Sequence, residues 1–66
     1  MHPDPEPARI PLAIPEPHAC ALAQLVKRID WHAIRDCAVD DAEARLMRDA
    51  LLDLQAALAR SGFNPR

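Results

Sequence analysis

Five side chains of this 66-residue sequence have the chemistry to hold a metal or to act as nucleophile and base: His18, Cys20, His32, Asp36 and Cys37. A structural metal needs about four ligands converging on one point, which usually shows as CxxC or HExxH spacing. Neither pattern is present. His32 and Asp36 share a helical face at i, i+4, but His18 and Cys20, two residues apart on a helix, point in different directions. The expectation is no metal and no cofactor, with His32 and Asp36 in a surface contact. Nucleophilic catalysis would use Cys37 beside His32 and Asp36, and it requires a cleft to exclude water and orient a substrate. With one glycine and no tyrosine, this chain has little from which to build catalytic loops. It is expected not to be an enzyme, and Cys20 and Cys37 are expected to be buried thiols, unpaired in a reducing compartment.

Charge narrows the partners. Eight Lys and Arg face ten Asp and Glu, a net of -2, with the signs interspersed along the helical part of the chain. Such a balance favours neither attraction to nucleic acid nor its mimicry. A short helix, the Ala38-Val39-Asp40 turn and a longer helix imitate the order of a helix-turn-helix. However, Asp40, Asp41 and Glu43 stand where that motif would meet phosphates. The alternative retained is a nucleic-acid-associated regulator that uses Lys27, Arg28 and Arg35. No apolar stretch approaches the ~18 residues of a membrane span, and prolines stand where a signal peptide would carry an apolar helix. A cytoplasmic location is expected, with no membrane partner.

The elements that must position these residues are all helical, apart from an arm. Six of the seven prolines fall within residues 1–17, and each fixes φ and removes a backbone donor, so this stretch is an extended arm. The MHPDPEPAR half is polar and expected to be disordered. In IPLAIPEP, Ile10, Leu12 and Ile14 alternate, so one edge is apolar; the plain expectation is that it covers the helices of its own chain, the sharper one that it docks on a partner. Residues 18–66 form the folded domain. A first helix is expected over about 17–29, with Leu22, Leu25, Val26 and Ile29 on its buried face. Asp30 then caps a second, two-turn helix with Trp31, Ile34 and either Cys37 or Ala38 inward, the alternative being a kinked continuation of the first helix. In this reading Trp31 is the core plug of the junction, and if exposed it becomes an interface anchor. Asp40 and Glu43 read as a capping box, with Glu43 returning a bond to the Asp40 backbone. The third helix, about 41–61, is roughly 30 Å long. It ends at Gly62, with Phe63 folding back on Leu58 and Asn64-Pro65 confirming the stop.

The fold class that follows is all-α, a helical hairpin of two to three helices in which short helices one and two pack on long helix three behind the proline-rich arm. Thirteen of the apolar residues are alanine, so the core is thin, and a chain of this size obtains only about 3–5 kcal/mol from one core. Met47, Ala50, Leu51, Leu54, Ala57 and Leu58 lie at core spacing on the third helix, while Leu46 and Leu52 fall at its margins. The excess predicts a homodimer and a protein-binding surface made of Ile10, Leu12, Ile14, Trp31, Leu46 and Leu52.

The segments LAQLVKRIDW, CAVDDAEA and ALARSGFNPR resemble short helical proteins from proteobacterial genomes, plasmids and integrated elements, over Ala21 to Arg66. That group has no assigned activity, so the resemblance carries over no site residue. Its mobile-element context implies an accessory or inhibitor protein that binds a larger protein complex, which fits the non-catalytic interaction module expected from the residues.

Overall fold

A computed structural model of the chain describes residues 7–64. Most of the leader expected to be disordered, and Pro65 of the expected stop, lie outside them. Three helices follow the arm: α1 over Glu16–Arg28, α2 over Trp31–Cys37 and α3 over Asp41–Arg60. Among the described residues α1 and α2 each pack along α3 and not on each other, which gives the expected hairpin.

The boundaries have local causes. Pro15 stands at the N-cap of α1 and Pro17 in its first turn, where a missing N–H costs no helical hydrogen bond. Glu16 at that end, with Lys27 and Arg28 at the other, complements the helix dipole. The chain leaves α1 through an extended Ile29. Asp30 starts α2 by accepting from the Ala33 N–H at 2.9 Å. Asp40 does the same for α3, its Oδ1 accepting from the Glu43 N–H at 2.8 Å. The return bond differs from expectation: Glu43 Oε1 accepts from the Val39 N–H at 3.0 Å, not from that of Asp40. Asp40 is extended (φ -155°, ψ 178°), and the Glu43 carboxylate reaches one residue further back. At the far end Gly62 takes φ +94°, the Gly62 N–H donates to the Ala59 carbonyl at 3.0 Å, and the Phe63 N–H donates to that of Leu58 at 2.8 Å. This is the complete Schellman pair of bonds.

The core is thinner than the large side chains suggest. Ala19, Ala23, Val26 and Leu58 form its buried cluster, and Ile14, Leu22, Leu51, Leu54 and Phe63 are half-buried around it. Ile34 of α2 and Ala44 of α3 are buried where those helices meet. Alanines at the contact bring the helices close, since interaxial distance follows the side chains between them. The buried stripe of α1 is therefore Ala19, Ala23 and Val26, at i, i+4, i+7, and not the expected one. Leu25 is turned out and 55% exposed, Leu22 and Ile29 sit on the flank, and Ala50 of α3 is exposed as well.

Candidate interaction surface

Several residues singled out for their chemistry stand exposed on the helix surfaces. His32 Nε2 and Asp36 Oδ2 are 3.8 Å apart on the outside of α2, both largely exposed. Cys20 and Cys37 are free thiols on the surface, not the buried ones expected. Alanines have taken the buried stripe of α1, and in α2 it is Ile34 that faces α3. Among the described residues no three His, Cys, Asp or Glu side chains cluster as metal ligands, and no helix is long and apolar enough to cross a membrane. The basic cluster also changes character. Arg35 Nε donates to Asp41 Oδ1 at 2.6 Å, and its Nη1 donates to the Ala38 carbonyl at 3.2 Å. This guanidinium is engaged in bracing the α2–α3 corner.

The apolar residues make a surface instead. An open trough of about 1010 Å³ lies between the arm and the paired α1 and α3. The arm contributes Ile10, Leu12 and Ile14, and α3 contributes Ala50, Leu54 and Ala57. Among the described residues of the arm, Ile14 is the apolar side chain packed against the core. Ile10 and Leu12 border the trough yet remain 79% and 65% exposed, so the expectation that the arm covers its own helices holds for one of its three apolar residues. Prolines explain the difference: Pro11 and Pro15 hold Ile10 and Ile14 extended, and the stiff chain cannot fold both ends of the segment onto a narrow core. Carboxylates of Glu16 and Asp53 stand among the lining residues, and no Lys or Arg is among the described residues that line the trough.

Leu46, 70% exposed, extends this surface. It precedes Ala50, Asp53 and Ala57 at i, i+4, i+7, i+11, which places all four on one stripe of α3. Leu52 does not join them. Six residues on from Leu46, it lies about 120° around the helix, on the opposite flank of the core stripe. There it shares a face with Arg48, whose guanidinium lies over the Trp31 ring at 5.8 Å from the centroid. Trp31 is 42% exposed and is not the core plug first expected, because Ile34 fills that role. The six expected contact residues thus divide between two patches, one made of the arm, the trough and Leu46, the other of Trp31, Arg48 and Leu52. Leu25 and Val39, 55% and 81% exposed, were not anticipated. Val39 precedes a helix cap in a three-residue turn, outside any helical stripe, and its position there was the available signal.

No curated protein and no solved structure matches the chain. The sequence profile of a family of unknown function, DUF7706, matches residues 1–66 from end to end, and the chain belongs to that family.

Proposed function

We propose that this protein is a non-catalytic protein–protein interaction module, a small homodimeric accessory or inhibitor protein that docks on a larger protein complex in the bacterial cytoplasm, in keeping with the mobile-element setting its segments suggest. The observation that carries this reading is the exposure of Ile10, Leu12, Leu25, Trp31, Val39, Leu46 and Leu52 on a chain in which half of the buried residues among those described are alanine. Surface on this scale costs solubility unless something covers it. Tryptophan backed by arginine is a pairing enriched among the residues that dominate binding energy. The exposed His32–Asp36 pair and the two cysteines, held on separate helices, suit a surface better than a reaction centre. Binding of nucleic acid through Lys27, Arg28 and Arg35 has less support, since Arg35 is held by Asp41.

The test is site-directed photo-crosslinking in cells of the source organism. A crosslinker at Leu12, Leu46 or Trp31 should give discrete protein adducts that a second substitution on the same patch removes, Leu46→Asp for the trough side and Leu52→Asp for the Trp31 side. Asp49, exposed on α3 away from the core stripe, serves as the control. Equal labelling at all four positions, or none at any, refutes the reading.

A further inference from the structure

We infer that the trough is the seat of the proline-rich arm of a second copy, so that two chains pair about a two-fold axis, each placing Ile10 and Leu12 against the helices of the other. The inference rests on the interaction-module reading above and names the partner of one of its two patches.

Four observations converge on this occupant. The first is area. Ile10 and Leu12 on the arm, 79% and 65% exposed, and Leu46 on α3, 70% exposed, leave apolar surface on this side of each chain of the kind that an interface buries. The second is shape. The trough side carries both exposed apolar groups, Ile10 and Leu12, and an apolar recess in which Ala19, Ala50 and Ala57 stand among Leu22, Leu54 and Phe63. A surface that holds both knob and socket is self-complementary, as a two-fold interface requires, and reciprocal docking closes after two chains. The third is charge. Glu16 and Asp53 line the trough with no Lys or Arg among its described lining residues, while Arg9, next to Ile10 on the arm, is exposed and has no ion pair among the described residues. Docking of the arm across the axis brings Arg9 to the carboxylates its own chain does not offer it. The fourth is preorganisation. Pro7, Pro11 and Pro15 keep the segment extended before docking, so little backbone entropy is lost on binding.

The experiment is sedimentation velocity over a concentration series of the full chain, with helix content followed by circular dichroism. Wild type should run as a dimer. Ile10→Asp combined with Leu12→Asp, and separately Ala50→Arg, should each run as a monomer with unchanged helix content, because all three positions are exposed in the single chain. Mixing these two variants should restore a heterodimer, since the intact arm of the Ala50→Arg chain meets the intact trough of the other. Arg9→Glu alone and Asp53→Arg alone should each weaken pairing about tenfold, and the two together on one chain should recover it. A monomeric wild type overturns the inference. So does a dimer that ignores the arm and trough variants, or a mixture that stays monomeric. If wild type is monomeric while the Leu12 crosslinker traps a different protein, the inference falls and the interaction reading stands. If neither occurs at this patch or at Trp31, both fall.

Discussion

Arg35 and Asp41 lie six residues apart, on different helices, and are joined by a 2.6 Å hydrogen bond from Nε to Oδ1. The same guanidinium donates to the Ala38 carbonyl, so one side chain ties the end of α2, the turn and the first residue of α3 together. The pair is partly solvated, at 40% and 67% side-chain exposure, which limits its charge term to about 1 kcal/mol or less. Asp41→Asn should therefore cost less than about 1 kcal/mol and lose its effect in high salt. Arg35→Ala should cost more than Asp41→Asn, because it also releases a backbone carbonyl. A double-mutant cycle by urea denaturation at two salt concentrations measures both terms.

Gly62 ends α3 in the left-handed region, at φ +94°, where an L side chain is strained. An added Cβ would meet no atom within 4 Å, so a substitution here is opposed by backbone conformation alone. Gly62→Ala should destabilise the fold by about 1 kcal/mol, and Gly62→Asn by less, since asparagine tolerates this region. Equal losses for the two would mean that the cost lies in packing of the C-terminal turn and not in φ.

The start of α3 relies on two reciprocal bonds, Asp40 Oδ1 with the Glu43 N–H and Glu43 Oε1 with the Val39 N–H. Asp40→Ala should cost about 1 kcal/mol. Glu43→Gln keeps an oxygen for the Val39 amide and should cost less than Glu43→Ala. Amide exchange offers a local readout: Val39 should lose protection in Glu43→Ala, whereas a box closed on Asp40 would expose the Asp40 amide instead.

Helix ends were legible in the sequence because they depend on residues close by in the chain. Pro17, Asp30, Asp40 and Gly62 each act on backbone groups within a few positions, and the three helices begin and end within a residue of where those signals place them. Orientation about the helix axis was less legible. Weighing large side chains made Leu22, Leu25, Val26 and Ile29 the buried face of α1, but close approach to α3 favoured the stripe of Ala19, Ala23 and Val26. That choice is a property of two helices together and does not appear in the periodicity of one. For the surface, the six-residue spacing of Leu46 and Leu52 already puts them on opposite flanks of the core stripe, while the patch that each joins depends on where the arm and Trp31 lie. The arm itself was readable as extended, while its division into a packed Ile14 and an exposed Ile10 and Leu12 depended on how far the core reaches.

Because alanine sets the spacing of this core, the two kinds of core substitution should fail for different reasons. Ala44 is 0% exposed and Ala23 4%, so a larger group on the side of either that meets the facing helix must displace that helix. Ala23→Leu or Ala44→Leu should push α1 or α2 off α3 and cost about 1–3 kcal/mol despite the added apolar area. Leu58→Ala removes the largest side chain of the buried cluster and should cost about 2–5 kcal/mol, comparable with the ~3–5 kcal/mol that one core supplies to a chain this small. Thermal melts followed by circular dichroism should show the alanine variants folded with lowered midpoints, and Leu58→Ala unfolded or nearly so at low concentration. On the proposed pairing, a second chain would add stability that the single core does not supply, growing with the logarithm of concentration above the dissociation constant. Raising the concentration of Leu58→Ala should then restore helix content if the dimer forms, and leave it unchanged if the chain stands alone.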